Sequence, residues 1–430
     1  MRLLLHTLLL VTLVHSPLQA RQDETRWTEL SGATPAQWRV IWTESPSSNA
    51  TISWSTAVEG AQHSVYLSSA PRSGVLADYE QTVQAQRSGL YTHGPNDAAN
   101  LPETWYHHAR LRGLEPSTTY WFVMVSEGVV SPELHFVTAP VDDRPVKILY
   151  GGDSRSDREA RCTMNVLMAR LVAEDPTILA LAHGGDYVFD GRRWQQWTDW
   201  LSNHELCVGP KGRVLPIIPG RGNHDIGPIY DEIFDDPGGA AKNYFVTQLG
   251  ARVALVGLNS EISTAGEQAL WMRARLQELR PANHWLVVQY HTPIYPAVKQ
   301  PGRAKATWAP LFEEFDVDLA LESDGHAIKR TVPIRAGLHD PTGVTYIGEG
   351  CLGVPPRRPD AKRWYLQAPG MTGSGLHVTL LDFGPEHLRM TTLGPRRPGA
   401  DPASADEGEG GDYHIYDDHR LPRRERVLAD

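Results

Sequence analysis

Cysteine is scarce in this sequence, with three residues in a chain of 430. Cys162, Cys207 and Cys351 are spaced too far apart for a thiolate zinc site, which excludes that class of metal protein. A chain of this length has ample apolar material for a large core, so its fold needs no framework of disulfides. In an oxidising compartment the three cysteines would allow one disulfide and leave one thiol.

Long apolar runs and clusters of basic residues are equally lacking. The apolar run from Leu3 to Val14 contains His6 and is too short to span a bilayer, so a membrane span is not expected. Because this run follows Arg2 and the small residue Ala20 comes after it, residues 1–20 are typical of a secretory signal peptide, and we expect a secreted or periplasmic protein. The basic residues are scattered over a chain of net charge −10. This distribution excludes the basic face that a nucleic-acid binder needs.

Short alternating strands dominate the first part of the sequence. Segments such as Thr51 to Trp54 and Thr119 to Val125 are separated by turn residues, which predicts an all-β sandwich over residues 21–142. The turn from Gly113 to Tyr120 resembles that of fibronectin type III domains, in which a leucine and a tyrosine anchor the turn to the core. His107 and His108 are neighbours on one predicted strand and face opposite sides, so we do not expect them to serve one site.

After a polar linker at 140–145, buried apolar runs alternate with helical stretches. This alternation predicts an α/β domain over residues 143–395, with sheets flanked by helices. Trp194 and Trp197 lie at helical spacing among apolar residues, so we interpret them as core residues rather than as a platform for a substrate. From 396 to 430 the chain becomes charged and rich in glycine and proline, which predicts a disordered or loosely docked tail.

Metal-binding side chains follow one apolar run after another in the second part of the sequence. Each run reads as a buried strand, so these side chains would lie just past strand ends, where α/β sheets bind their ligands. They are Asp153, Asp186, Asn223 and His291, followed by Asp324 and His326 after a fifth run. A Gly-Asp step after a strand is a common turn by itself, but the joint pattern is far more specific.

The residue types match the needs of a binuclear metal centre that hydrolyses phosphate esters. Such a centre requires a carboxylate that bridges two ions and a water acidic enough to attack phosphorus at neutral pH. Oxygen and imidazole donors suit the ions concerned, and one neutral amide limits the negative charge. Asp186 is the candidate bridge and Asn223 is the amide. The sequence therefore predicts two metal ions.

The order of these motifs resembles that of the calcineurin-like metallophosphoesterases, with Gly-Asn-His-Asp at 222–225 as the most specific member. The β-sandwich ahead of them makes the purple acid phosphatases the branch that the chain resembles, over about residues 27–392. The resemblance implies that Asp186 bridges the two ions. It also implies two sets of ligands, the first being Asp153, Asp186 and His326, and the second Asp186, Asn223, His291 and Asp324.

The sequence departs from the family pattern at three places. Asp324 stands where the family has histidine; aspartate can replace imidazole on a hard ion, and capping of a loop is the alternative. Phe189 stands at the position of the metal-binding tyrosine, so we expect a colourless enzyme with divalent iron, manganese or zinc. Arg155 replaces a glycine or a histidine, and its guanidinium could fork onto two phosphate oxygens or pair with an acid such as Asp157.

His224 occupies the position where the family places a histidine that contacts the phosphate or protonates the leaving oxygen. Imidazole suits this role because it titrates near neutral pH, and support of Asp225 or of a metal ligand is the alternative. His183, His204 and Asp190 lie near these motifs without an assigned role, and we interpret them as structural residues or as supports of the metal ligands.

These residues predict an extracytoplasmic, metal-dependent phosphoesterase that hydrolyses small phosphomonoesters with a hydroxide bridging the two ions. A phosphodiesterase with the same metal core is the first alternative. The second is an inactive relative that only binds a phosphorylated or polyanionic ligand. The metal content of the protein distinguishes the inactive relative from an enzyme, because a catalytic pair of metal ions requires close to two ions per chain.

Overall fold

The computed structural model describes residues 30–236, 242–396 and 413–424. The predicted signal peptide at 1–20 lies outside these residues. The first part of the chain is built from strands, which are β1 (Ala36–Ile41), β2 (Ala50–Thr56), β3 (His63–Ser68), β4 (Gln81–Gln84), β5 (Arg87–Leu90), β6 (Trp105–Leu111), β7 (Thr119–Ser126), β8 (Val129–Val130) and β9 (Leu134–Val137).

The second part alternates strands with helices. Up to residue 289 these are β10 (Val146–Gly151), α1 (Arg158–Glu174), β11 (Ile178–His183), α2 (Trp194–His204), β12 (Ile217–Pro219), α3 (Ile229–Phe234), β13 (Phe245–Gly250), β14 (Val253–Gly257), α4 (Glu267–Leu279) and β15 (Trp285–Gln289). The remaining elements are α5 (Ala304–Thr307), α6 (Ala309–Glu314), β16 (Leu319–Glu322), β17 (Ile328–Arg330), β18 (Ile334–Arg335), β19 (Leu338–His339), β20 (Thr345–Gly348), β21 (Met371–Gly373), β22 (Val378–Phe383), β23 (His387–Pro395) and β24 (Tyr413–Pro422). In the described residues, none of the helices combines the length and the apolar character needed to cross a membrane.

One ten-stranded sheet runs through both parts of the chain, in the order β24-β23-β22-β10-β11-β12-β1-β2-β6-β5. Its two parts join where β1 pairs in parallel with β12, and Ile41 lies opposite Ile217. The Trp42 N–H donates to the Ile217 carbonyl at 2.9 Å, and all three side chains are buried. The N-terminal and C-terminal parts are therefore joined by backbone pairing at this bridge in addition to side-chain contacts.

The N-terminal sandwich is completed by a second sheet of order β4-β3-β7-β8, with β9 also paired to β7. Side chains from both sheets, including Trp54, Leu67 and Phe122, fill the space between them. In the turn before β7, the Glu115 N–H donates to the Tyr120 hydroxyl at 2.9 Å, so the tyrosine anchors this turn. The prediction of a β-rich N-terminal domain is confirmed.

The α/β domain is formed by two sheets whose inner faces share one buried cluster. The first is the β10-β11-β12 region of the ten-stranded sheet; the second has the order β13-β14-β15-β16-β20-β17-β21, with parallel pairing from β14 to β20. Ile148 and Ala180 from the first sheet and Leu255 and Leu321 from the second belong to this cluster. The predicted α/β architecture is confirmed, although few helices flank the sheets.

Helices α1 and α2 cover the ten-stranded sheet. Asp157 caps α1 by accepting a hydrogen bond from the Ala160 N–H at 3.0 Å. The buried face of α1, which includes Met164, packs against side chains of β10 and β11. Trp194 and Trp197 of α2 are fully buried in an aromatic cluster. This confirms that the two tryptophans are core residues.

The prediction of a disordered tail at 396–430 is wrong for part of that range. Residues Tyr413–Pro422 form β24, which pairs antiparallel with β23 and makes one edge of the ten-stranded sheet. Leu421 is buried, and Asp417 pairs with Arg330 at 2.7 Å. This strand is mostly polar, which an edge position tolerates, so it lacks the apolar alternation from which a strand is recognised. Residues 397–412 and 425–430 lie outside the described part of the chain.

The three cysteines all lie within the described residues, and each is a buried free thiol. Cys207 packs in the apolar cluster beneath α1. Burial raises the pKa of the Cys207 thiol above its usual range, which keeps it protonated and unreactive. The thiols therefore contribute to packing.

His107 and His108 face opposite sides of β6, as predicted. The His107 ring stacks on His63 with centroids 3.6 Å apart, inside the sandwich. The His108 ring contacts the Ser53 hydroxyl at 2.6 Å and the Glu232 carbonyl at 3.0 Å. Burial is the main cause that lowers the pKa of His107 to about 2 and that of His108 to about 3. Both rings are therefore neutral in the folded protein.

We predict that these histidines make the fold sensitive to acid. The unfolded chain protonates them below about pH 6.5, so the free energy of unfolding falls as the pH drops from there towards the folded-state pKa, by roughly 1.4 kcal/mol per pH unit for each histidine. His108→Gln should lose less stability than the wild type between neutral and acidic pH in urea titrations. The exposed His339→Gln is the matched control. Parallel curves for wild type and His108→Gln would contradict the prediction.

Candidate metal centre

Loops at the ends of five strands bring the predicted metal ligands together. Each ligand follows the end of a strand by two to four residues, and the strands come from both sheets of the α/β domain. From the ten-stranded sheet come Asp153 after β10, Asp186 after β11 and Asn223 after β12, and from the other sheet come His291 after β15 and Asp324 and His326 after β16. The predicted arrangement at the carboxyl ends of parallel strands is therefore present.

Four of these side chains form a compact buried cluster. Each of them offers a ligand atom that lies within 4.8 Å of the other three, and the four residues are Asp153, Asp186, His291 and Asp324. Carboxylate oxygens and imidazole nitrogens at such distances are suitable donors for a divalent iron, manganese or zinc ion. The donor set therefore fits a metal ion.

His291 is the centre of one side of the cluster. Its Nε2 lies 3.3 Å from Asp186 Oδ1 and 3.7 Å from Asp324 Oδ1. The Asn223 Oδ1 atom lies 3.1 Å from the same nitrogen, although the Asn223 residue is exposed. The His291 Nδ1 atom donates to the Gly184 carbonyl at 2.9 Å, so Nε2 is the nitrogen directed at the carboxylates. This side brings together the second predicted set of ligands.

The other side of the cluster is formed by Asp153 and His326. The His326 Nε2 atom lies 3.2 Å from Asp153 Oδ1. That carboxylate oxygen is buried and has no hydrogen-bond partner within the described residues. Since a buried carboxylate oxygen is costly to leave unpaired, it is a suitable donor for a cation. With Asp186 between the two sides, the first predicted set is also brought together.

Four of the ligand residues have left-handed backbone conformations. The φ angles are 55° at Asp153, 59° at Asp186, 68° at Asp324 and 57° at His326. Residues other than glycine adopt this region at a cost, so their surroundings must hold them in place, and such residues cluster at functional sites. The Asp324 N–H, for example, donates to Asp153 Oδ2 at 2.9 Å. The loops that carry the ligands are thus stabilised by hydrogen bonds to one another.

Asp225 positions the loop that carries Asp186, a role that the sequence analysis did not assign. Its carboxylate accepts hydrogen bonds from the N–H groups of Asp186 at 2.7 Å, Tyr187 at 2.9 Å and Gly222 at 2.9 Å. It is fully buried, and burial together with the charge of Asp186 raises the pKa of Asp225. The sequence signal that could have indicated this role is that Asp225 is the last residue of the Gly-Asn-His-Asp motif at 222–225. Asp225 therefore links the loops after β11 and β12.

The charges of the cluster shift the pKa values of its members. Burial opposes the ionisation of Asp324, but the hydrogen bond and charge of His291 and the ammonium of Lys299 hold its pKa well below the usual range. Burial also disfavours the charged form of His291, yet the neighbouring Asp186 raises its pKa well above that of a free imidazole. A cation that binds here therefore competes with a proton on His291.

Neither Tyr187 nor Phe189, which follow the central Asp186, places a phenol in the cluster. Tyr187 is fully buried, and its ring stacks on His183 with centroids 3.9 Å apart, within an aromatic core. Phe189 is 57% exposed at the mouth of the site. His204 is buried and stacks on Trp200. His183 and His204 thus have packing roles, as interpreted from the sequence.

Asp190 lies at the start of the segment that leads into α2. Its carboxylate accepts a hydrogen bond from the Arg192 Nε at 2.9 Å. Its backbone N–H donates to Gln196 Oε1 at 2.9 Å. These contacts order the loop before α2, which agrees with the structural interpretation of Asp190.

Arg155 reaches into the cluster from the loop after β10. Its Nε lies 3.1 Å from Asp186 Oδ2, and its Nη2 lies 3.5 Å from His326 Nε2. The side chain is only 11% exposed. The salt bridge of Arg155 is therefore with Asp186, whereas the carboxylate of Asp157 caps α1.

Lys299 is a second cation at the site, and the sequence analysis did not identify it. Its ammonium pairs with Asp324 Oδ1, and its side chain is 40% exposed. It lies in the irregular segment between β15 and α5, where neither periodicity nor a motif marks it. Since an exposed lysine can change rotamer readily, it can leave Asp324 when a metal ion binds.

His224 lies at the edge of the cluster with its ring orientation fixed. Its backbone N–H donates to Asp186 Oδ1 at 2.9 Å. Its Nδ1 donates to the Phe189 carbonyl at 2.6 Å, so the proton to be given or taken is on Nε2. The Phe189 ring also packs against the imidazole, with centroids 5.0 Å apart. His224 thus supports a ligand through its backbone, and within the described residues its Nε2 has no hydrogen-bond partner.

The comparisons with known proteins agree with this fold and site. Residues 160–327 match the family of calcineurin-like phosphoesterases. Residues 35–138 match the N-terminal domain of purple acid phosphatases. The two matches in this order support the resemblance to the purple acid phosphatase-like branch of the calcineurin-like phosphoesterases.

Relatives and solved structures show how far the similarity extends. The chain is 28% identical over 293 residues to an uncharacterized protein of Mycobacterium tuberculosis (57% of this chain, 54% of the relative). It is 24% identical over 292 residues to purple acid phosphatase 23 of Arabidopsis thaliana (57% and 61%). The chain thus spans little more than half the length of these relatives. The purple acid phosphatase PPD1 of yellow lupin superposes with a TM-score of 0.67 at 17% identity, covering 84% of this chain and 72% of that one, and shows a common fold.

We predict that Asp225 is required for a tight metal site. Asp225→Ala leaves three buried N–H groups without an acceptor, so the free energy of unfolding should fall by about 3 kcal/mol or more. The affinity for Mn²⁺ should fall about 10- to 100-fold. Urea titration and isothermal titration calorimetry measure the two effects. Asp225→Asn retains one oxygen acceptor and should lose less of both; equal losses for the two variants would contradict this role.

Proposed function

We propose that the chain is an extracytoplasmic, metal-dependent phosphoric ester hydrolase that acts on small phosphomonoesters. The observation that supports this most directly is the convergence of carboxylate, imidazole and amide donors from both sheets around Asp186. The match of residues 160–327 to calcineurin-like phosphoesterases agrees with the hydrolysis of phosphate esters. The leader-like segment at 1–20 supports a secreted or periplasmic location.

The ligand assignment in this proposal follows the two sides of the cluster. Asp153 and His326 hold one side, Asn223, His291 and Asp324 hold the other, and Asp186 lies between them with one carboxylate oxygen toward each. Divalent iron, manganese or zinc bound there supplies an acidified water as nucleophile and polarises the phosphoryl oxygens. The family pattern suggests two such ions. The protein residues orient the ester and screen its charge.

His224 is proposed as the proton donor to the leaving oxygen. Its Nδ1–H is held by the Phe189 carbonyl, which leaves Nε2–H of the protonated ring free to protonate an alkoxide or phenoxide. Arg155 is proposed to hold the phosphate by charge, since its guanidinium already lies beside the central carboxylate and can contact anionic oxygens of an ester. Both residues would act on the substrate itself.

The domain assignment stays part of the proposal: a sandwich at 21–142 and a catalytic domain at 143–395.

A phosphodiesterase that uses the same metal centre is the first alternative function. The ester that is hydrolysed faster distinguishes it from a phosphomonoesterase. A third function, binding of a polyanion without hydrolysis, is favoured by one observation. Arg155 and Lys299 already offer two cationic groups at the cluster, and these could hold an anionic ligand without a metal ion.

We predict that hydrolysis requires Asp186. Mature protein loaded with Mn²⁺ should hydrolyse p-nitrophenyl phosphate faster than bis-p-nitrophenyl phosphate, and Asp186→Ala should reduce kcat/KM on the order of a thousandfold, because it removes the carboxylate shared by both sides. Asp142→Ala, at an exposed ion pair, is the matched control. A faster reaction with the diester would favour a phosphodiesterase, and a folded, metal-loaded protein without turnover on either ester would contradict the proposal.

We predict that the effect of His224 depends on the leaving group. p-Nitrophenolate departs without protonation, whereas phenolate and alkoxides need a proton, so His224→Gln should lower kcat about 100-fold with phenyl phosphate and much less with p-nitrophenyl phosphate. The exposed His339→Gln should change neither rate. Steady-state kinetics with the two esters tests this, and equal losses would show that His224 acts by support of Asp186 instead.

A further inference from the structure

The guanidinium of Arg155 occupies a defined place between two predicted metal ligands. Its Nε contacts Asp186 Oδ2 at 3.1 Å and its Nη2 is 3.5 Å from His326 Nε2. These are the two ligand atoms that the first ion would need in addition to Asp153 Oδ1. Guanidinium carries no lone pair for a metal and stays protonated, so it competes with an ion for these atoms.

Two further contacts hold the guanidinium at this place. Its Nη1 donates to the Ser156 hydroxyl at 2.8 Å, and its central carbon lies 5.5 Å from the centre of the Phe189 ring. A cation over an aromatic face at this distance is stabilised by the ring. Phe189 replaces a metal-binding tyrosine and Arg155 replaces a glycine or histidine, so the two departures from the family pattern form one contact.

The opposite side of the cluster has a different character. There Asp186 Oδ1, Asp324 Oδ1 and Asn223 Oδ1 lie within 3.7 Å of His291 Nε2. The cation on this side, Lys299, pairs with Asp324 alone and is 40% exposed, so it can move into solvent. Arg155 by contrast is 11% exposed and bound on several sides. Only the second side is therefore open to a metal ion without rearrangement of a buried cation.

The charge balance leads to the same result. The three carboxylates of Asp153, Asp186 and Asp324 face the two cationic groups of Arg155 and Lys299. When one divalent ion binds and Lys299 moves into solvent, the ion and Arg155 together balance the three negative charges. A second divalent ion beside a buried guanidinium would place like charges in contact, which is unfavourable in a buried site.

We infer that Arg155 takes the place of the first metal ion, so that the chain binds a single divalent ion through Asp186, Asn223, His291 and Asp324. This inference rests on the proposed function and specifies its metal centre. It replaces the expectation of two ions with one ion and one fixed guanidinium. The second positive charge for a phosphate ester then comes from a side chain.

The test is the number of Mn²⁺ ions bound at saturation, counted by electron paramagnetic resonance from the loss of the free-ion signal. Wild type should bind about one ion per chain, with a spectrum free of spin coupling. Arg155→His removes the guanidinium and adds an imidazole, so this variant should bind about two ions per chain and show coupling between neighbouring ions. Arg144→His, which changes an exposed arginine paired with Asp142, is the control and should bind one.

Each result bears on the inference. Two coupled ions in the wild type would overturn it, and so would a single ion in Arg155→His, because Arg155 would then not be what excludes the second ion. Arg155→Gly provides the same count if the histidine variant fails to fold, as judged by circular dichroism. Ester hydrolysis is assayed separately. One ion in the wild type and two in the variant, without turnover, would uphold the inference while contradicting the proposed hydrolase.

Discussion

Mutual repulsion among buried carboxylates is the constraint on which the centre depends. Asp153, Asp186 and Asp324 come together within 4.8 Å in a buried site, and such groups stay ionised only when cations and N–H donors surround them. Backbone N–H groups, the imidazole of His291 and two cationic side chains meet this need. The left-handed turns aim the side chains inward, and Asp225 fixes the central turn. The two packed sheets hold these loops at the spacing that a cation requires.

Much of the site could be predicted because its signals are local. Asp153 and Asp186 each follow a buried apolar run, so strand, turn and ligand are read from a few consecutive residues. Pairing between distant segments has no such signal: the junction of β1 with β12 depends on single residues such as Ile41 and Ile217. The strand β24 was missed for a related reason. Its polar composition does not indicate a strand, and it is ordered by its pairing with β23.

Residues that act through contacts in space were the hardest to assign. Lys299 lies in an irregular segment, and its role depends on meeting Asp324 from another loop. Phe189 and Arg155 were each recognised as departures from the family pattern, but only the structure shows that the ring of one supports the guanidinium of the other. Two departures from the family pattern that look unrelated in the sequence thus place a guanidinium cation against an aromatic ring, beside the predicted metal ligands. An altered ligand position is therefore best judged with its neighbours in space.

The backbone pairing of β1 with β12 makes the sandwich part of the same sheet as the α/β domain rather than a detachable module. Opening of one domain against the other would break this pairing, which disfavours control of the cleft by a hinge between the domains. A catalytic fragment without the sandwich would leave β12 as an unpaired edge, and such edges promote aggregation. Proteolysis at the segment between β9 and β10 would cut the chain without releasing either half.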